Sequence, residues 1–232
     1  MDTIAIIPAR GGSKRIPRKN IRPFHGKPMI AWPIGVALNS GLFDAVVVST
    51  DDDEIASVAT ACGAEVPFRR PAELANDHAP TVPVVRHAVE WWQANRGTVK
   101  YVCCIYPTAP FLNAADLERG LRALEADSEL EFAFAVTSFP FSIFQALRLD
   151  SEWHTSMFWP EHELTRSQDL PEIWHDAGQF YWGTADAWHT RERLFSARSV
   201  GVRLPRHRVQ DIDTPEDWAR AEIIFRTLNP TP

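Results

Sequence analysis

Cysteine is scarce: Cys62, Cys103 and Cys104 are the only three in 232 residues, and their spacing matches no metal-ligand pattern. Cys103 and Cys104 are neighbours in an apolar run, so on a strand they face opposite sides, and both read as buried free thiols of a cytoplasmic protein. No apolar run approaches the ~20 residues that a membrane-spanning helix needs. No signal-like segment precedes the first apolar run, so no membrane partner and a cytoplasmic location are expected. Neither G-x-x-x-x-G-K-[ST] nor G-x-G-x-x-G occurs, which argues against a Walker-type ATPase and against a dinucleotide cofactor. Repeats and low-complexity segments are absent. Positive charge is also in deficit, with a formal net charge of −6, whereas nucleic-acid binding wants a broad basic face. At 45% hydrophobic residues the chain holds enough apolar material for one full core plus an appendage.

Against that acidic background stands one basic stretch. Ile4 to Pro8 is an apolar run the size of a buried parallel strand, and it breaks into Ala9-Arg10-Gly11-Gly12-Ser13-Lys14-Arg15. Arg10, Lys14, Arg15, Arg18 and Lys19 put five cations into ten residues. Mutual repulsion makes such a loop costly unless a polyanion sits there. Two successive glycines let backbone N–H groups turn toward an anion with no Cβ in the way. The stretch therefore reads as a phosphate-binding loop, against the plainer alternative of a solvated basic loop.

A βα rhythm follows. Lys27 to Ser40 is expected to form a helix closed by Gly41, with Pro33 bending it or delaying its start. Ala45 to Thr50 is a β-branched strand, and Thr50-Asp51-Asp52-Asp53-Glu54 caps a helix through Cys62. The cap and the helix dipole account for those acids, Asp51 included, better than a metal does. Ala64 to Phe68 reads as a short third strand and Arg69 to Asp77 as a loop. Thr81 to Arg96 is a helix whose Trp91-Trp92 pair is read as packing. Tyr101 to Ile105 is a buried strand that runs into Tyr106-Pro107-Thr108-Ala109-Pro110. Strand carboxyl ends gather ligands in open α/β sheets, so that loop belongs beside the basic one.

Ala114 to Asp127 is a helix and Phe132 to Thr137 the fifth strand, after which the rhythm stops. Residues 138–176 are rich in Phe, Trp, Pro and His without steady periodicity, longer than an ordinary surface loop. Asp176 to Gly178 is expected as a turn, Gln179 to Gly183 as a return to the sheet, and Trp188 to Phe195 as a short helix. Val200 to Leu204 is a last strand, and 229–232 a frayed tail. Thr214, Pro215 and Asp217 read as N-cap, first position and third position of a final helix. Asp211 and Asp213 precede it two residues apart, so on extended chain both carboxylates reach one point. Like charges so close favour a cation, and hard oxygen ligands suit Mg2+, although capping accounts for Asp213 alone and a salt bridge for Asp211. No general base declares itself among His25, His78, His162 and His175.

The run I-P-A-R-G-G-S-K-x-I-P-x-K-N closely resembles the N-terminal motif of the CMP-nonulosonate (acylneuraminate) cytidylyltransferases. Further matches are R-P-x-x-L-A-x-D at 70–77, P-T-x-P at 107–110, Arg166-Ser167-Gln168-Asp169-Leu170-Pro171, and D-I-D-T-x-E-D at 211–217. Arg15 to Asn20 and Asp176 to Gly183 look most like the pseudaminic acid branch. The resemblance implies a mostly parallel, Rossmann-like α/β sheet of the nucleotide-diphospho-sugar transferase type, residues 1–137 and 177–232. It implies that 138–176 is a small dimerisation subdomain reaching over the partner's site, hence a homodimer with shared active sites. The implied reaction couples CTP to a nine-carbon acid sugar, most of all pseudaminic acid, giving the CMP-sugar and pyrophosphate. N-acetylneuraminate, legionaminate and Kdo are the alternatives, and a nucleotide-binding regulatory module without turnover the remote one.

Carried over residue by residue, Ala9, Arg10, Gly11, Gly12, Ser13, Lys19 and Asn20 hold the nucleotide, with Arg70 and Asp77 near its base and sugar. Tyr106, Thr108, Arg166, Gln168 and Gln179 face the acid sugar, and Asp211 and Asp213 hold Mg2+. Arg10, Lys19, Asp211 and Asp213 are the implied catalytic set. Two positions depart from the family's pattern: Tyr106 replaces a glutamine, and Ser167 replaces a second arginine.

Overall fold

The computed structural model describes residues 2–229. In chain order these form β1 (Thr3–Pro8), a small hairpin of β2 (Pro23–Phe24) and β3 (Lys27–Pro28), α1 (Ala31–Asn39), β4 (Ala45–Ser49) and α2 (Asp53–Ala61). Then come α3 (Thr81–Asn95), β5 (Tyr101–Ile105), α4 (Ala114–Ala126) and β6 (Phe132–Ser138). A second hairpin, β7 (Leu147–Leu149) and β8 (Thr155–Met157), precedes β9 (Trp174–Thr184), α5 (Ala185–Thr190), β10 (Ser199–Arg203) and α6 (Pro215–Leu228). Six strands make the central sheet in the order β10-β6-β9-β5-β1-β4. β9 alone runs antiparallel to its neighbours; the remaining pairs are parallel.

Both faces of the sheet are covered, which is why its strands read as continuous apolar runs. Ala5 and Ile7 of β1 pack with Ile34 of α1, Ile55 of α2 and Leu117 of α4. Ile4 and Ile6 point the other way, into Val85, Val89 and Trp92 of α3 and Trp188 of α5. Cys103 and Cys104 fall on opposite faces, both buried and free. A third, smaller core lies beyond the sheet: Ile16, Phe24 and Met29 from the basic loop and its hairpin pack on Ile212, Trp218, Ala221 and Phe225. Phe24 meets the rings of Trp218 and Phe225 edge-on at 5.4 and 5.3 Å. No helix among the described residues is long and apolar enough to cross a membrane.

Several local expectations need correction. The first helix starts only at Ala31, because Pro28 pairs with Pro23 in the hairpin; Pro33 then sits in the first turn, where its missing N–H costs nothing. Residues 64–68 are not a strand. Glu65 bonds Val46 and Val48 at 2.8 Å each, but Pro67 has no N–H to continue the ladder. The expected turn at 176–178 is a bulge inside the eleven-residue β9, where β9 passes five positions while β6 passes two. Gly178 takes φ +61° there, and its N–H donates to the Asp176 carboxylate at 2.9 Å. The following helix is Ala185–Thr190 rather than 188–195, since Thr184 caps it by accepting from the Ala187 N–H. The excursion from the sheet spans 139–173, with Phe141, Trp153 and Leu164 exposed by 85%, 76% and 95%. Of the expected frayed tail, residues 230–232 lie outside the described residues.

Candidate active site

The carboxyl ends of β1, β4 and β5 lie side by side, and the loops leaving them wall a pocket of about 260 Å³. Its lining includes Arg10, Lys14, Arg15 and Lys19 from the first loop and Arg70 from the segment after α2. Opposed to these five cations is one lining carboxylate, Asp213, in a chain of net charge −6. Asn20, Thr81, Tyr106 and Thr108 complete the polar wall.

The loop's shape follows from what its side chains grip. Asn20 is buried and donates from Nδ2 to the Arg10 carbonyl at 3.0 Å, closing the loop on itself. Ile16 and Phe24 anchor its far side in the third core. Arg18, at φ +56°, reaches Asp52 at 2.5 and 2.9 Å and Glu54 at 2.5 Å. Gly11 must be glycine here: a Cβ would come within 2.7 Å of Asp52 Oδ2. Its N–H donates to Asp51 Oδ1 at 3.0 Å, so Asp51 braces the loop while Asp52 caps α2.

Asp77 accepts from Arg10 at 2.5 Å and pairs with Lys14. Lys14 and then Arg10 hold its carboxyl at about 2. Arg70 is buried. Its Nε and Nη2 bond Ser49, and burial, offset by Asp51, lowers its guanidinium to about 10, so it stays charged at neutral pH. Tyr106 and Thr81 join hydroxyls at 2.8 Å across the pocket wall.

Lys19 donates to the Ile212 carbonyl at 2.7 Å and to Asp213 at 3.1 Å, and Arg15 reaches Asp213 at 2.6 Å. Against partial desolvation, Lys19 and then Arg15 pull Asp213 below the usual carboxylate range. Asp211 is pushed the other way, by desolvation and by Asp213 beside it, and makes no ion pair among the described residues. A carboxylate with no ion pair, Asp211, beside one held by Lys19 and Arg15, Asp213, fits Mg2+, which takes one or two carboxylates and completes its shell with water and phosphate oxygens. Among the described residues no third acidic, His or Cys side chain joins them.

Most of the expected nucleotide residues therefore converge, but not all as envisaged. Ala9 is buried and continues the β1–β4 pairing through its backbone. The Gly11 amide is taken by Asp51 rather than open to an anion. Gln179 does not line the pocket: it is buried, and its Nε2 donates to the Arg208 carbonyl at 2.5 Å. Arg166 and Gln168 lie on the excursion, away from this chain's pocket. Arg166 pairs with Asp169 at 2.7 Å, and Gln168 lines a separate surface cleft with Phe139, Gln145 and Glu172. Lys14 and Arg15, visible in the sequence only as charges of the basic loop, also line the pocket. Thr81 lines it too, and its place at the start of α3 is the only signal the sequence offers for that.

The sequence matches a family model described as Cytidylyltransferase over residues 4–224. Over 226 residues it is 45% identical to the pseudaminic acid cytidylyltransferase of Campylobacter jejuni, with 97% of each chain covered. The CMP-N,N'-diacetyllegionaminic acid synthase of Legionella pneumophila is 30% identical over 226 residues, again 97% of each. Among solved structures, CMP:2-keto-3-deoxy-manno-octonic acid synthetase complexed with CTP matches with a TM-score of 0.71 at 19% identity, covering 98% of this chain and 100% of that one. A 4-diphosphocytidyl-2C-methyl-D-erythritol synthase matches at 0.68 and 16% identity, over 97% and 98% of the two chains. Those two likenesses speak for the mostly parallel α/β fold. With the family model spanning nearly the whole chain, and one relative 45% identical from end to end, the chain belongs to the cytidylyltransferase family.

Proposed function

We propose that this chain couples CTP to pseudaminic acid, giving CMP-pseudaminate and pyrophosphate. The observation that carries the reading is the cation-walled pocket with Asp213 in its lining and Asp211 two residues away, in a chain 45% identical to a pseudaminic acid cytidylyltransferase over 97% of both. The anomeric hydroxyl of the sugar gives up its proton to solvent, and its oxygen bonds to the α-phosphorus of CTP as the bond to pyrophosphate breaks. Arg10, Lys14 and Lys19, all in the pocket lining, offset the charge that builds on the departing pyrophosphate. Arg70 fixes the end of the pocket where the base enters. Asp211 and Asp213 would hold Mg2+, which when bound offsets phosphate charge and acidifies the attacking hydroxyl.

The acid sugar needs a partner for its own carboxylate. In this reading Arg166, with Gln168, supplies it to the neighbouring protomer of a homodimer, which acts in the cytoplasm. Support comes from the excursion at 139–173, which carries both residues away from its own pocket and exposes Phe141, Leu147 and Trp153. Such apolar surface is typical of an interface.

The test is pyrophosphate release from CTP and Mg2+ with pseudaminate, legionaminate, N-acetylneuraminate and Kdo supplied in turn. The highest kcat/KM is expected with pseudaminate. A higher value with another acid sugar would replace the substrate, and no release with any of them would remove the enzymatic reading.

A further inference from the structure

We infer that Asp116, a residue belonging to no motif of the site, is a positioning residue that sets Asp211 against Asp213 through Arg208. The inference rests on the reading of those two carboxylates as the Mg2+ pair. Asp116 stands in the first turn of α4 and is only 4% exposed. A buried carboxylate is costly unless both its oxygens are engaged by charge, and here they are. Oδ1 accepts from Arg119 at 2.6 Å and Oδ2 from Arg208 at 2.5 Å.

The two arginines tie Asp116 to both ends of one stretch. Arg119 also donates to the Arg203 carbonyl at 2.9 Å, where β10 ends. Arg208 lies five residues on, in a 3₁₀ turn three residues before Asp211. Gln179 of β9 adds a second hold by donating to the Arg208 carbonyl at 2.5 Å; its own Oε1 is buried without a protein partner, so it grips through Nε2 alone. Downstream, Ile212 is fully buried in the third core, and Thr214 and Asp217 form a reciprocal capping box. The carboxylate pair therefore hangs between two anchors. The cap and Ile212 fix Asp213, and the Asp116–Arg208–Gln179 clamp fixes the approach to Asp211. Fixing a ligand from outside its own shell typically matters about 10–100-fold in metal affinity.

The test uses Asp116→Asn and Arg208→Met, with Mn2+ as the probe, its binding read by electron paramagnetic resonance in the presence of CTP. Each variant is expected to weaken Mn2+ by about tenfold, the lower end for such partners. CTP binding in EDTA should stay within about twofold, because neither residue lines the pocket. The double variant should be no worse than the poorer single one, as for two residues acting through one link. Leu124→Ala opens a cavity under the same helix and serves as the destabilised control; its Mn2+ affinity should not move. Hydrogen exchange of the amides at 209–213 should speed up in both clamp variants while the middle of α6 stays protected.

Wild-type Mn2+ affinity in both clamp variants, or an equal loss in Leu124→Ala, would overturn the inference. If the wild-type protein itself binds no Mn2+ with CTP, the metal reading fails instead. Exchange at 209–213 then decides the clamp, and unchanged rates there would overturn it.

Discussion

Asp52 is the residue where the acidic turn, the basic loop and helix α2 meet, and Asp52→Ala tests that junction. Its carboxylate accepts from the Ile55 N–H as the N-cap of α2 and receives two bonds from Arg18. The Arg18 bonds, against some desolvation and with help from the Ile55 N–H, lower its carboxyl from 3.8 to about 2. The side chain is only 22% exposed, so solvent screens this modestly. At about 1.4 kcal/mol per unit the shift corresponds to about 2 kcal/mol, which includes the ~1 kcal/mol that a lost N-cap costs by itself. For a depressed carboxyl the contribution is complete above the unfolded value and fades as pH falls toward the folded one. Asp52→Ala should therefore lose about 2 kcal/mol at pH 7, a drop of about 4–8 °C in Tm for a chain of this size. The gap to wild type should close between about pH 4 and about pH 2. Asp52→Asn keeps a capping oxygen without the charge and should fall between the two. Urea unfolding at stepped pH measures all three. A gap under about 0.5 kcal/mol at pH 7, the usual scatter of surface changes, or one that stays constant down to pH 2, would refute the reasoning.

Asp211→Asn and Asp213→Asn should each lower turnover by at least ~10²-fold with little change in Tm, the scale of a lost transition-state electrostatic contact; near-normal rates at saturating Mg2+ would remove the assignment. The loop that follows Arg70 should select CTP over UTP, whose bases differ in donor and acceptor along one edge; equal kcat/KM for CTP, UTP and ATP would contradict it. Lys19→Ala and Arg166→Ala should each be nearly inactive, yet mixed dimers restore one sound site in half the population, about a quarter of wild-type activity. Background activity in confirmed heterodimers would place Arg166 in its own chain's site.

What the sequence discloses and what it hides divide along a physical line. Strands β1, β4, β5 and β6 are legible because burial on both faces makes each an unbroken apolar run, and α3 and α4 because their apolar residues recur at helical spacing. The basic loop is legible because its five cations are unexpected in an acidic chain. Thr214 and Asp217 announce α6 through a cap whose partners are three residues apart. Errors begin where a partner distant in sequence decides. Pro28 left the first helix for a hairpin with Pro23, and β9 absorbed an apparent turn as a bulge because β6 and β5 pair on either side of it. Gln179 shows the same limit at the site. Its motif pointed to a ligand, while its neighbour in space is a carbonyl 29 residues later.

The excursion carries that argument furthest. Its aromatic composition is plain in the sequence, but no periodicity says what the aromatics touch. Within the chain, Trp159 meets Phe144 and Phe158, each at 5.7 Å, while Phe141 and Trp153, and with them Leu164, stay in solvent. A segment that builds no core of its own, and presents large apolar side chains, gains burial only against another surface. Arg166 rides on it with Asp169 as its exposed neighbour, a pairing that water screens and that a sugar carboxylate could replace. The proposed shared site joins these two facts. The same docking that covers Phe141 and Trp153 would carry Arg166 to a second pocket, so sugar binding and association become one equilibrium. Dilution should then weaken the KM for the acid sugar while CTP binding, which draws on Arg10, Lys19 and Arg70 of a single chain, holds steady.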